Sequence, residues 1–125
     1  MKVPILDIQK AVYDRISPLY KTFDSVPDGQ QTPYVTLGED VTVEWGTKTN
    51  PGTSVIVTLH FWSQYKGMKE TKTMIDQVVQ ALSTPLQITG YELGTTSIEL
   101  IHVMKDPDGI TRHGIVEFKI NILEV

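Results

Sequence analysis

Between residues 4 and 17 the apolar positions recur with a helical period. Ile5, Ile8, Val12 and Ile16 fall on one stripe with Tyr13 beside them, and Asp7, Gln9, Lys10, Asp14 and Arg15 take the other side. The spacing predicts an amphipathic helix. Pro4 suits its first turn, and Ser17-Pro18 ends it, since a residue before proline avoids the helical region. Residues 18–33 lose the period and hold three prolines, Pro18, Pro27 and Pro33. With turn signals at Asp24-Ser25 and Pro27-Asp28-Gly29 they predict a connection anchored by Leu19, Tyr20 and Phe23.

From Tyr34 the period shortens to two. Tyr34-Val35-Thr36-Leu37 and Val41-Thr42-Val43-Glu44-Trp45 read as strands either side of a solvated Gly38-Glu39-Asp40 turn, and Asn50-Pro51-Gly52 predicts the next turn. Ser54 to Trp62 is the strongest strand: Val55, Val57, Leu59 and Phe61 share one face, and Ile56, Thr58, His60 and Trp62 the other. Apolar residues on both faces imply that something covers each side. A second helix is predicted over residues 67–82, with Met68, Thr71, Ile75, Val78 and Leu82 on its stripe, Gly67 at its start and Ser83-Thr84-Pro85 stopping it.

Leu86–Leu93, Ser97–Met104 and Gly114–Leu123 then read as strands. Asp106-Pro107-Asp108-Gly109 joins the last two, with proline second and glycine fourth as a type I hairpin turn requires. In the final strand Val116, Phe118, Ile120 and Ile122 alternate with Glu117, Lys119 and Asn121, so one face is core and the other wet or interfacial. The fold class expected is α+β: a single, mostly antiparallel β-sheet with two α-helices packed on one face, in one domain over residues 1–125.

Length and charge narrow the class. A folded monomer of 125 residues exposes roughly 6,700 of the ~20,000 Å² of its unfolded chain, enough for one core. Eleven basic against fifteen acidic residues give a net charge of −4, which argues against nucleic acid as the main partner. With no cysteine there is no disulfide, no thiolate zinc site and no cysteine nucleophile. No apolar run approaches the ~18 residues of a membrane span, so no membrane is expected among the partners. Met1-Lys2-Val3-Pro4-Ile5-Leu6 is too short, and too soon interrupted by Asp7, for a secretory signal.

Candidate chemistry is sparse. His60, His102 and His113 form neither an HExxH helix nor a pair at three-to-five spacing, and each lies in or beside a different strand, so no metal site is expected. His102 lies in phase with Ile98, Leu100 and Met104, which favours burial. Asp106, Asp108 and Gly109 lack the further ligands of a calcium loop. Glu39, Asp40 and Glu44 cluster at the predicted strand junction, where solvation explains them without catalysis. There is no GxSxG, no phosphate-cradling glycine loop and no dinucleotide fingerprint, so the residues offer no constellation for an enzyme and leave that question open.

What remains is aromatic and positional. Trp45, Trp62 and Tyr65 sit at or near strand ends beside polar turns, where such side chains bring large rigid area to an interface. Trp45 to Thr53 is polar and flanked by strands, either a plain hairpin tip or an arm reaching a neighbouring subunit. Trp45, Lys48, Thr49, Asn50, Trp62 and Tyr65 are therefore the candidate interface residues.

Several segments also carry a family likeness. Phe23-Asp24-Ser25-Val26-Pro27-Asp28 followed by Thr32-Pro33-Tyr34-Val35-Thr36-Leu37-Gly38-Glu39 resembles the opening of the DUF3168 family of phage tail completion proteins. Trp45-Gly46-Thr47-Lys48-Thr49, Leu59-His60-Phe61-Trp62-Ser63-Gln64-Tyr65-Lys66-Gly67 and Asp106-Pro107-Asp108-Gly109-Ile110-Thr111-Arg112-His113-Gly114 fit its sequel, over about residues 5 to 123. The resemblance implies a non-enzymatic structural protein that uses no cofactor, part of the virion tail of a long-tailed phage or prophage, assembled in the bacterial cytoplasm. It implies a homo-oligomeric ring, typically a hexamer, on the head-proximal end of the tail tube. There it would meet the tail tube protein and the head connector, with DNA only passing through the lumen.

A ring needs a heterologous interface, and a neighbour covering the second face of the Ser54–Trp62 strand would supply one. Two other readings predict different things. A monomeric or dimeric ligand-binding module requires a well-defined apolar cavity between sheet and helices. A small enzyme with His60 or His102 as general base requires a partner group converging on that ring.

Overall fold

In the computed structural model, which describes residues 2–125, the first apolar stripe becomes helix α1, Ile5–Ile16, with Ile8, Val12 and Ile16 buried. A two-residue strand β1, Thr22–Phe23, leads to two strands joined as a hairpin, β2 (Tyr34–Gly46) and β3 (Pro51–Ser63). Helix α2, Lys69–Leu82, follows, and a second hairpin of β4 (Tyr91–Lys105) and β5 (Arg112–Glu124) completes the chain. The five strands form one sheet in the order β1-β2-β3-β5-β4; β1 pairs with β2 in parallel and every other pair is antiparallel.

Because β5 inserts between β3 and β4, the chain leaving β3 must cross over one strand to reach β4, and α2 makes that crossing on one side of the sheet. Val55, Val57, Leu59 and Phe61 of β3 stand opposite Ile120, Phe118, Val116 and Gly114 of β5. With Val35 and Leu37 they meet Ile8, Val12 and Ile16 of α1 and Met74, Ile75, Val78 and Leu82 of α2 in a single core. A side chain at Gly114 would stand 2.7 Å from Ile75 Cδ1, so glycine there lets α2 approach the sheet closely. Arg15 of α1 clamps the two helices: Nη1 donates to the carbonyls of Ala81 and Thr84 at 2.7 Å and Nη2 to that of Pro85 at 3.2 Å. The guanidinium thereby satisfies carbonyls at and just beyond the C-terminal end of α2.

Both helices therefore lie on one face, as the patterning predicts. Fourteen helical residues span about 21 Å, whereas the thirteen-residue strands span about 43 Å. The helices cover one side over part of its length and leave the other side to the sheet itself. Total exposed area is 7304 Å², about 600 Å² above the scaling for a compact monomer of this size. No helix among the described residues is long and apolar enough to cross a membrane.

Several element boundaries differ from the sequence reading. Gly38-Glu39-Asp40 is no turn: β2 is continuous, with a register shift between Leu37 and Asp40 where the pairing skips Gly38 and Glu39. The hairpin turn is Thr47–Asn50, closed by hydrogen bonds between Thr47 and Asn50, while Pro51 and Gly52 already belong to β3. Leu86–Gly90 lies outside the sheet, its Leu86 and Ile88 buried in the core, and β4 begins only at Tyr91. β4 then runs unbroken to Lys105 through two register shifts. The second, between Ile98 and Leu100, reverses the alternation: Ile98 pairs with core residue Phe118, whereas Leu100 pairs with Glu117. His102 consequently faces away from the helices and is exposed, contrary to the burial its phase with Ile98 suggests.

Candidate assembly interface

The sheet face opposite the helices carries Tyr34, Thr36, Val41 and Val43 of β2, Ile56, Thr58, His60 and Trp62 of β3, and His113, Ile115 and Glu117 of β5. Leu100, His102 and Met104 of β4 extend it, by their pairing with Glu117, Ile115 and His113. Val41 and Val43 are 58% and 57% exposed and Leu100 43%, so this outer face presents apolar side chains to solvent with neither helix above them. Single exposed apolar residues are ordinary; Val41 and Val43 on β2 and Leu100 on β4, on the side the helices leave open, make this face a candidate contact surface.

One end of the face is tightly organised. The Trp62 indole stacks on the His113 ring with centroids 3.9 Å apart and 13° between planes, and its Nε1 donates to Thr36 Oγ1 at 3.0 Å. His60 Nδ1 and His113 Nε2 lie 2.7 Å apart in a hydrogen bond. Glu39 Oε1 reaches His60 Nε2 at 3.3 Å, and Asp106 Oδ1 stands 3.6 Å from His113 Nδ1. Burial, with His60 and His102 nearby, pushes His113 below the ordinary imidazole value, while Asp106 opposes that shift. Gly38 makes this packing possible, because a Cβ there would stand 2.7 Å from Cδ2 and Nε2 of His60. Beside Trp62 a polar hollow is lined by Gln30, Gln31, Thr32, Tyr34, Gln64 and Asp106, among others.

The other end is the β2–β3 hairpin. Trp45 folds across the sheet so far that a side chain at Gly94 of β4 would come within 2.8 Å of its Cη2. Two strands, β3 and β5, lie between β2 and β4, some 14 Å in a flat sheet, so the sheet must curl at this end for one indole to reach. Lys48, Thr49 and Asn50 project beyond it, exposed, at the turn. The six residues singled out from sequence therefore do not form one patch. Trp45, Lys48, Thr49 and Asn50 stand at one end of β3 and Trp62 and Tyr65 at the other, roughly 35 Å apart along the strand. Tyr65 is exposed, whereas Trp62 is half-buried in its stack.

In the histidine cluster the two imidazoles share one hydrogen bond and each has a carboxylate beside it. No side-chain hydroxyl is hydrogen-bonded to either imidazole among the described residues. Among the same residues no group of three or more His, Cys, Asp or Glu converges to hold a metal ion. Much of the space between sheet and helices is filled by fully buried side chains such as Phe61, Leu59, Met74 and Leu82; an apolar hollow of about 330 Å³ between α2 and β4, lined by Ile75, Val79, Ile101 and Val103, is open to solvent rather than the well-defined cavity the ligand-module reading requires. Sequence reasoning placed the three histidines on separate strands but not side by side; their adjacency follows from β5 inserting between β3 and β4. It also missed Gly38 and Arg15, the former read as part of a turn and the latter as one of a polar face.

Comparison with known proteins places this architecture. The family model described as "Tail completion protein gp17" matches residues 10–123. The tail completion protein gp17 of Bacillus phage SPP1 is 26% identical over 123 residues, covering 92% of this chain and 91% of that protein. Among solved structures, a chain in the virion of a native gene transfer agent particle superposes with a TM-score of 0.86 at 19% identity, covering 98% of this chain and 99% of that one. The structure of SPP1 gp17 superposes with a TM-score of 0.65 at 23% identity over 95% of this chain and 91% of that one.

Proposed function

The chain belongs to the tail completion protein gp17 family and is a structural component of a phage virion tail, and from that premise we propose that it closes into a ring that terminates the tail tube. In this reading about six copies, assembled in the host cytoplasm, sit on the head-proximal end of the tube and present the opposite rim to the head connector. DNA passes through the lumen without a binding site of its own, in keeping with a net charge of −4 per copy.

The observation that carries the ring is the uncovered outer face. Val41, Val43 and Leu100 stand exposed where the helices do not reach. The candidate residues divide into two unlike groups at opposite ends of β3, and a cyclic assembly needs two different patches on each subunit. Cationic Lys48 projects from one end, and the hollow at the other is lined by Asp106 and side-chain amides. That pairing suits a hairpin tip meeting the far end of its neighbour.

The hairpin supplies the test. Thr47 and Asn50 already exchange backbone hydrogen bonds around Lys48-Thr49, so replacing Lys48 and Thr49 by alanine strips the tip of its side chains without altering turn length or register. The variant should keep the wild-type circular dichroism spectrum and a similar melting temperature, yet form no rings on purified tail tubes by electron microscopy. Rings on the variant as abundant as on wild type would sink the role of the tip. Wild-type chain that shows no closed oligomer with tubes would sink the ring itself.

A further inference from the structure

The tripeptide Pro-Asp-Gly occurs twice, at Pro27-Asp28-Gly29 between β1 and β2 and at Pro107-Asp108-Gly109 between β4 and β5. In both copies the aspartate and the glycine are exposed, and the glycine is left-handed, with φ of 76° at Gly29 and 74° at Gly109. An Asp-Gly step can close on itself: the glycine nitrogen attacks the aspartate Cγ, and a glycine has no side chain to hinder it. The two copies differ because their turns are set one residue apart.

In the first, the Gln30 N–H donates to the Pro27 carbonyl at 3.2 Å. Asp28 and Gly29 are then the two central residues, and the amide between them closes nothing. Among the described residues the Gly29 N–H has no acceptor, and no donor meets the Asp28 carboxylate. In the second, the Gly109 N–H itself closes the turn, donating to the Asp106 carbonyl at 3.0 Å. The Asp108 carboxylate is engaged as well: Oδ1 accepts from the N–H groups of Ile110 and Thr111 at 2.8 Å each, and Oδ2 from the Thr111 hydroxyl at 2.7 Å. Both reacting groups are free at Asp28 and both are tied at Asp108.

We propose that Asp28 is a site of spontaneous isoaspartate formation, and that Asp108, in the same tripeptide, is protected by its hydrogen bonds. At Asp28 a bond forms between Gly29 N and Asp28 Cγ, the Cγ–OH bond breaks, and the hydroxyl leaves with the amide proton as water. Water then reopens the five-membered ring. Attack at the Asp28 main-chain carbonyl leaves the chain running through Cβ and Cγ, one carbon longer; attack at Cγ restores aspartate. No group is oxidised or reduced, and water is the only co-reactant.

Ring closure proceeds through the neutral carboxyl, since an ionised one would have to expel an oxide. The Thr111 hydroxyl, then the N–H groups of Thr111 and Ile110, with Arg112 nearby, hold Asp108 below the usual carboxylate range and so keep it ionised. At Asp28 the added carbon takes the Pro27–Gln30 hydrogen bond out of register. Gln30 and Gln31, which follow directly, line the hollow beside Trp62, so the modification reshapes the wall of that hollow.

The full-length wild-type chain is sufficient for the test, whether or not it forms rings. It is kept warm for several weeks at about pH 6, where a small fraction of an ordinary carboxyl is neutral, then denatured and cut with trypsin. Asp28 falls in the peptide Thr22–Lys48 and Asp108 in Asp106–Arg112. Isoaspartate in each is quantified by enzymatic methylation of its α-carboxyl and located by mass spectrometry. Asp28 should convert at least about tenfold faster than Asp108, which reacts only when its turn opens. In guanidinium chloride the two rates should converge to within about twofold, because the tripeptides lose their separate surroundings. Equal rates in the folded chain overturn the proposal. So does an Asp28 that converts in denaturant but not in the folded protein.

Discussion

Gly38 lacks a side chain because His60 occupies the place where one would go. The pairing skips it between Leu37 and Asp40, and a Cβ would press on the His60 ring at 2.7 Å and on the Thr58 carbonyl at 3.2 Å. His60 is held on its far side by His113 and yields only by giving up that bond. Gly38→Ala should therefore destabilise the fold by about 1–3 kcal/mol, read as a lower urea midpoint. The same substitution in a His60→Ala background should cost well under half as much, because the clashing ring is gone. An unchanged cost in the double-mutant cycle would assign the strain to the backbone instead. Nothing in a single sequence marks this glycine, since the ring it accommodates lies twenty-two positions away on another strand.

At the scale of elements, α1 and α2 are held together by more than their apolar stripes. Arg15 donates three hydrogen bonds to carbonyls at and beyond the end of α2, one from a part-buried position. The α2–β4 connection starts at this point, so the clamp also sets where the chain turns back toward the sheet. Arg15→Ala should cost about 1.5–3 kcal/mol by chemical denaturation, the scale of a charge-assisted bond lost with its acceptors left unpaired. Arg15→Lys should recover only part of it, because an ammonium cannot span three carbonyls with a planar fork. If Arg15→Ala unfolds at the wild-type urea concentration, the acceptors are satisfied by water and the clamp is idle. Helix periodicity displays Arg15 only as one polar residue among five, for the carbonyls it meets lie 66 to 70 residues on, at and just beyond the end of α2.

Over the whole molecule, the balance between apolar contact and charge would govern the proposed assembly. Each copy carries −4, so neighbours in the proposed ring would repel one another at long range while exposed Val41, Val43 and Leu100 would favour contact at short range. Raising salt from about 50 to 300 mM shortens the screening length from roughly 14 to 6 Å and weakens the repulsion without touching apolar burial. Self-association by sedimentation at pH 7 should therefore strengthen with salt. If association weakens instead, ion pairs hold the subunits and the apolar outer face is not the contact. The family likeness and the two-sided apolar pattern of Ser54–Trp62 are both legible along the chain, so the general role is readable there. Which apolar side chains stay uncovered is not, because that depends on where the helices come to rest.

Local periodicity determined the two helices, the strands β3 and β5 with their core and outer faces, and the extended character of most of β2 and β4, because those follow from 3.6- and two-residue repeats that need no distant partner. The β1 bridge escaped it, since two residues carry no period. So did the phase of His102, reversed by the register shift between Ile98 and Leu100. Only the tertiary structure decided that β5 lies between β3 and β4. That insertion sets His60 against His113, curls Trp45 onto Gly94, and leaves one face of the sheet bare. Strand order is a contest among long-range pairings of similar local strength, and packing of the whole core, rather than any short segment, selects the winner.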